Sequence, residues 1–432
     1  MSLSSTPRPL PSTGASSGVL EALAFFRDAD FARQRFAQFG DVFETSLLGQ
    51  RLVFIRGGRA IADLLAQPEA TEGWWPESVR QLLGSRSLAN RNGADHRARR
   101  RVVGQLFSAA ALRRYSPAIV ALVEELAAEL QRAAGPEPLV DRMRRFAFTV
   151  IATVVLGLEG DDREALFADF EIWTRALFSI PVAIPGSPFA RALQARTRLL
   201  ARLRGVLERA RQQAEAGLPL AGGLDLLSGG LDEAGLPLTD DDLVEQLLLL
   251  LFAGYETTAS SLSCLMAAVL QHEHVLPWLQ PELEALPWPP PADLATPRLA
   301  ALVQEVMRLN PPVGGFFRRT TRELVLDGVL VPAGRVVQVA LAASNRTSMA
   351  DVDDLEQFRP DRHLQGGDGL TLLPFGGGER VCLGKALAEL EIRLMAVGLL
   401  RQLTLRLEPG QDLSLQLIPS PSPRDGLRVR AV

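Results

Sequence analysis

Only two cysteines occur in 432 residues, Cys264 and Cys382, far apart in the chain. That excludes a disulfide framework and fits a reducing compartment such as the cytosol. The four histidines, His96, His272, His274 and His363, include no H-E-x-x-H pair. The H-E-H at 272–274 points its rings to different sides of a helix, so a zinc site has no ligand set. Net charge is only −4, so charge argues for neither nucleic acid nor an anionic membrane as partner. The N-terminal stretch MSLSSTPRPLPSTGASSG contains no apolar run. Neither a signal peptide nor a membrane anchor is expected there, and a soluble, cytoplasmic protein is. Residues 1–18 are expected to be a mobile tail. Repeats, linkers and blocks of like charge are missing as well, so residues 19–432 are expected to form a single domain. Since 47% of the chain is apolar, a sizeable core is available to it.

Helical periodicity dominates what is present. A short helix around Glu21–Phe39 and a hairpin of Val42–Leu47 with Leu52–Ile55 come first. Segments near 60–66, 95–114, 117–134, 142–157, 162–178 and 189–215 then read as helices. The last carries Arg191, Arg196, Arg202, Arg204 and Arg209, which read as a solvated face. One long helix is predicted over Asp240–Gln271, about 48 Å at 1.5 Å per residue, with Thr239 and Asp242 as its capping box. Its LLLLLFAG section is apolar on all sides, which places it in a core, and is too short to span a membrane. Seven prolines between 277 and 297 predict a loop. Strand-like runs at Leu324–Leu326, Val329–Val331 and Val336–Leu341 give the expected class: mainly α with a smaller β portion.

The richest stretch is FGGGERVCLG, residues 375–384. Glycines let a backbone approach something bulky. A thiolate before a helix is favoured by the helix N-terminus and, here, by the nearby Arg380. A phosphate loop is excluded, because Gly384-Lys385 is followed by Ala386 and position 379 is Glu. The G-x-G-x-x-G dinucleotide spacing is missing too. Two readings stay open on the residues alone: an inert cysteine in a glycine turn, or a thiolate held against a flat metal cofactor. Elsewhere, HRARRR (96–101) puts His96 and Arg100 on one helix face and Arg97 and Arg101 on another. AGYETT (253–258) places Gly254, Thr257 and Thr258 inside the long helix, at a cost of roughly 2 kcal/mol relative to alanine. EVMR sets Glu305 and Arg308 one turn apart before Pro311-Pro312.

The ten-residue loop resembles the haem-binding loop F-x-x-G-x-R-x-C-x-G of the cytochrome P450 superfamily, at Phe375, Gly378, Arg380, Cys382 and Gly384. The other stretches are similar to that superfamily's [WH]-x-x-x-R, [AG]-G-x-[DE]-T-T and E-x-x-R motifs, in the same order. The resemblance implies a cytochrome P450 fold, with the long helix across a buried haem b whose iron Cys382 ligates. Phe375, Gly376, Arg380 and Gly384 would cradle the cofactor, and His96, Arg100 and Arg318 would hold its propionates. Glu256 and Thr257 would pass protons to dioxygen in a groove made where the helix opens. Glu305 and Arg308, joined by Arg362, would form a buried support for the cysteine loop; His363 stands where the family usually has an aromatic.

The implied activity is monooxygenation. No flavin or nicotinamide fingerprint occurs, so separate donors are implied: a ferredoxin or flavodoxin with its reductase. Arg97 and Arg101, with Arg113 and Arg114, would attract an acidic donor. GWWPES (73–78), SIPVAIPGSPFARALQAR (179–196), NPPVGGFFRRTT (310–321) and PSPSPRDGL (419–427) look like the retinoic-acid hydroxylases of animals and their bacterial relatives. That implies a long apolar substrate: a retinoid, another isoprenoid or a fatty acid. Trp74, Trp75, Ala253, Val313, Phe316 and Ile418 are candidates to line its pocket or, equally, to be core. A hydroperoxide isomerase or peroxygenase of the same fold and a non-catalytic haem sensor are the alternatives. The intact Glu256–Thr257 pair weighs against all of these, since none needs a proton relay.

Overall fold

The computed structural model describes residues 6–14, 18–28, 31–47, 49–177, 179–220, 222–291, 295–347, 354–364, 369–370 and 372–432. The chain divides into two compact units, residues 1–74 with 304–382 and residues 75–303 with 383–432. The first opens with α1 (Gly18–Arg27), α2 (Phe31–Phe39), β1 (Val42–Leu47), β2 (Gln50–Ile55), α3 (Gly58–Leu65) and β3 (Thr71–Gly73). The second takes α4 (Glu77–Leu83), α5 (Gly93–Gly104), α6 (Ala109–Arg132), β4 (Glu137–Pro138) and α7 (Leu139–Val154). It continues with α8 (Gly160–Thr174), α9 (Pro188–Glu215), α10 (Asp240–Gln271) and α11 (Val275–Ala285). The boundary falls within α12 (Pro297–Leu309). The first unit resumes with β5 (Gly315–Thr320), β6 (Leu324–Leu326), β7 (Val329–Val331), β8 (Val336–Ala340) and α13 (Leu341–Ser344). The second closes with α14 (Lys385–Gln402), β9 (Leu405–Leu407), β10 (Leu415–Gln416), β11 (Ser422–Pro423) and β12 (Arg428–Ala431). The expected class, mainly α with a smaller β portion, is the one observed.

A five-stranded sheet, β1-β2-β8-β5-β3, organises the first unit, parallel only between β2 and β8. Strand alternation divides its side chains between two cores. Val53, Ile55, Val337 and Val339 join Ile61 and Leu64 of α3, while Phe43, Phe54 and Val336 join Phe31 and Phe36 of α2. At Gly315 a Cβ would lie 2.1 Å from the Val339 carbonyl, so only glycine lets β5 lie this close to β8. Part of the expected tail is held rather than free. The Arg8 N–H donates to Gly328 O, Arg8 O accepts from Leu330, and Thr13 N–H donates to Glu44 O, whereas residues 1–5 and 15–17 lie outside the described residues.

In the second unit α10 has the bounds its cap predicts, with Thr239 Oγ1 accepting from the Asp242 N–H at 3.2 Å. The helix packs on α7, and Gly254 makes the approach possible, since a Cβ there would meet the Ile151 side chain at 3.0 Å. Phe148, Phe170, Trp173 and Tyr255 fill the space between α7, α8 and α10. By length and composition α10 could cross a membrane, although 67% of its most apolar stretch is buried inside the fold.

Three expectations change. First, the predicted break near 114–117 moves: Ser108 caps α6, which then continues through Pro117. Pro117 is exposed, so water can satisfy the carbonyl that loses its partner, while Tyr115, Ile119, Val123 and Leu130 bury the opposite face. Second, 277–285 is helical within α11 despite Pro281, because Val275, Leu279 and Leu283 bury one face; residues 292–294 lie outside the described residues. Third, the arginines of α9 are not simply solvated. Arg196 pairs with Glu245, Arg204 with Asp241 and Arg211 with Asp240 on α10, while Arg198 and Arg202 share Asp169 of α8.

Thr239→Ala removes the side-chain cap of α10 and is expected to cost about 1 kcal/mol. Urea denaturation of the two proteins measures it; an unchanged midpoint would show the cap to be dispensable.

Candidate functional site

The two cysteines differ sharply in setting. Cys264 is buried on α10, its Sγ 3.4 Å from Pro421 O, and burial pushes its thiol up to about 12. Cys382 is exposed. Its N–H donates to Phe375 O at 2.8 Å, which closes the glycine loop, and Gly376 and Gly378 take left-handed φ of 71° and 67° within it. Side chains larger than glycine rarely adopt that conformation. At Gly377 a Cβ would also fall 2.7 Å from Leu65.

Beside this loop lies Arg318 of β5. It is buried, stacks over Phe316 at 4.7 Å, and donates to the Phe317 and Gly377 carbonyls. It makes no ion pair among the described residues. Burial, then the charge of neighbouring Arg380, lowers its pKa to about 10. Two guanidiniums this close, one of them buried without a carboxylate on it, fit an anionic ligand. Neighbouring Arg319 instead lies near Glu72 and is partly exposed. The sequence reading missed Gly73. Strand β3 sets it opposite Arg318, and a Cβ there would lie 2.4 Å from the Arg380 Cζ, in space the guanidinium occupies.

Also in this unit, Glu305 is fully buried and accepts two hydrogen bonds from Arg308, at 2.8 Å each. Arg362 Nε lies 3.3 Å from Oε1, His363 Nε2 2.8 Å from Oε2, and the Arg359 N–H donates to Oε1 at 2.8 Å. His363 thus packs into the ion cluster, which accounts for a histidine at a position expected to be aromatic. Arg308 and Arg362 use their remaining N–H groups on the carbonyls of Asn345, Leu355, Gln357 and Asp354.

In the second unit, α10 is buried along most of its length, but Ala253 is exposed and Gly254, Glu256 and Thr257 are half-buried. The expected opening is not a break in the helix, which runs uninterrupted. Thr257 Oγ1 donates to Ala253 O at 2.6 Å, a local bond that absorbs its polarity within a continuous helix. Glu256 is not free: Arg144 of α7 holds its Oε1 at 3.0 Å, a partner the sequence did not disclose. On α5, His96 is buried and Arg100 half-buried, while Arg97 and Arg101, like Arg113 of α6, are exposed. Arg114, also exposed, makes two bonds to Asp225 and one to Leu220 O.

The proposed lining residues fall in both units. Trp74 packs edge-on against Phe317, in the core sense, and Phe316 lies under Arg318. Trp75 is half-buried; Val313 and Ile418 are exposed.

Burial alone would raise the Glu305 carboxyl, but the bonds from Arg308, His363 and the Arg359 N–H outweigh it and hold it at about 2. A depressed folded-state pKa contributes stability that is complete above the unfolded value and is lost as pH falls through the folded one. The loss is therefore expected between pH 4.5 and about 2. Glu305→Gln leaves the buried Arg308 guanidinium without a carboxylate, while Arg362 keeps Asp354; it should cost about 3–5 kcal/mol and flatten that acid limb in denaturation measurements. An unchanged acid limb would contradict the assignment.

The cytochrome P450 family model matches residues 24–424. The chain is 35% identical to a Synechocystis sp. sequence named for cytochrome P450 120, over 95% of this chain and 94% of that one. It is 32% identical to cytochrome P450 26B1 of Danio rerio, over 94% of this chain and 83% of the relative. A solved structure of retinoic-acid-bound cyanobacterial CYP120A1 superposes with a TM-score of 0.87 at 34% identity, covering 99% of this chain and 100% of that one. Members of this family bind haem through a cysteine thiolate. The chain belongs to the cytochrome P450 family and is a haem-dependent monooxygenase.

Proposed function

We propose that this monooxygenase hydroxylates a retinoid or a closely similar long apolar substrate, with Cys382 as the haem ligand. The reading rests chiefly on the retinoic-acid-bound neighbour, which matches 99% of the chain. Bound haem would supply the centre at which dioxygen is activated and one oxygen atom is passed to a C–H bond. The protein's part is to hold that group and to manage protons. Arg318 and Arg380, with His96 and Arg100, supply cationic and donor groups suited to two propionates. Phe375, Gly376 and Gly384 let the backbone lie close to a flat ring. Glu305, Arg308 and Arg362 brace the segment that leads to Cys382.

Thr257 can release Ala253 O and turn its hydroxyl toward the open side of α10, where it would relay a proton supplied by Glu256. Arg144 pairs with Glu256 at 3.0 Å and would hold its carboxyl in place beside Thr257. Electrons would come from a ferredoxin or flavodoxin with its reductase, docking on Arg97, Arg101 and Arg113. We further propose that the two units act as one catalytic domain.

Titration of the purified haemoprotein with all-trans retinoic acid should shift the Soret band, and turnover with a surrogate ferredoxin pair should give a hydroxylated retinoid. With the same substrate, Thr257→Ala should lower product formation by about 100-fold while oxygen uptake continues. A Soret response to fatty acids alone would overturn the retinoid assignment, and unaltered coupling in Thr257→Ala would overturn the relay.

A further inference from the structure

The arginine run of α5 holds a third role that neither the propionate residues nor the docking surface uses. Arg99 is almost fully buried, with 4% of its surface exposed. Its Nε donates to Asp242 Oδ1 at 3.1 Å, and its Nη1 meets both Asp95, one turn earlier on α5, and Glu233 in the loop before α10. Arg91 reaches the same two aspartates. Asp242 is the residue whose N–H the Thr239 cap receives, so Arg99 grips the first turn of α10. The chain therefore displays three stripes along one helix: His96 with Arg100, Arg97 with Arg101, and Asp95 with Arg99.

We infer that Arg99 is a positioning residue: it fixes the rotation and depth of α5 against α10, and so aims His96 and Arg100 at the cofactor. This rests on the reading that His96 and Arg100 hold the propionates. Two donor directions of one guanidinium are in use, along Nε and along Nη1. A lysine carries its charge at a single point and cannot meet Asp242 and Glu233 in that geometry. Glu233 is partly exposed and Asp242 is not, so the grip comes mainly from Asp242.

The test is the rate of haem transfer from the holoprotein to apomyoglobin, with the reduction potential measured on the same samples. Four proteins are compared: the parent, Arg100→Ala, Arg99→Lys and Arg204→Gln. The last breaks another ion pair to the first turn of α10, from α9 rather than α5, and controls for stability alone. Arg100→Ala and Arg99→Lys should each release haem about tenfold faster and shift the potential, while Arg204→Gln stays within about twofold of the parent. Faster loss from Arg100→Ala with Arg99→Lys indistinguishable from Arg204→Gln would overturn the positioning role and leave the propionate reading intact. An unchanged rate in Arg100→Ala would overturn the propionate reading, and the role of Arg99 with it.

Discussion

The first unit depends on how one buried carboxylate is satisfied. Glu305 has no access to water, and its two oxygens accept from Arg308, Arg362, His363 and the Arg359 N–H. Taking a carboxylate and two guanidiniums out of water is costly, and only this density of bonds offsets it. The gain lies in geometry more than in stability. The arginines go on to bind carbonyls at 345, 354, 355 and 357, which pins Asn345 and the stretch 354–357. From that stretch the chain continues to the glycine loop, whose left-handed turns at Gly376 and Gly378 present Cys382 at the surface of the unit.

In the second unit the corresponding constraint is the fixing of α10. Its first turns are held by arginines from α5 and α9, and its middle is set against α7 at Gly254. A helix so fixed can present a short exposed face, Ala253 to Thr257, without bending. The polar groups of that face are kept in check locally. Thr257 bonds back to its own helix, and Glu256 is held by Arg144. In the proposed relay, both bonds would be released before a proton passes.

What could be read in advance was whatever the chemistry writes locally. The bounds of α10 follow from Thr239 and an apolar run and the smaller sheet from alternation, whereas the roles of the cysteine loop and the E-x-x-R turn follow from resemblance to a family. Pairings across long sequence distances carry no local signal. Arg144 finds Glu256 across 112 residues and Arg99 finds Asp242 across 143, and an arginine on a helix looks the same whether solvated or buried. Strands of two to four residues such as β3, β4 and β12 form because a distant edge is waiting for them. Nothing in GWWPES marks Gly73 as the residue that β3 sets beside Arg380. Residue 117 read as a helix start and Pro281 as part of a loop, because burial of the opposite helix face, which outweighs one lost bond, cannot be seen in a single residue. His363 looked like a departure, yet its ring nitrogen completes the Glu305 cluster.

The central claim is that Cys382, and not Cys264, supplies the haem thiolate. The most direct measurement is the carbon monoxide difference spectrum of the reduced protein, its Cys382→Ser variant and its Cys264→Ser variant. The account predicts the long-wavelength Soret band of thiolate ligation in the parent and in Cys264→Ser, and its loss in Cys382→Ser. Retention of that band in Cys382→Ser, or its loss in Cys264→Ser, would contradict the account.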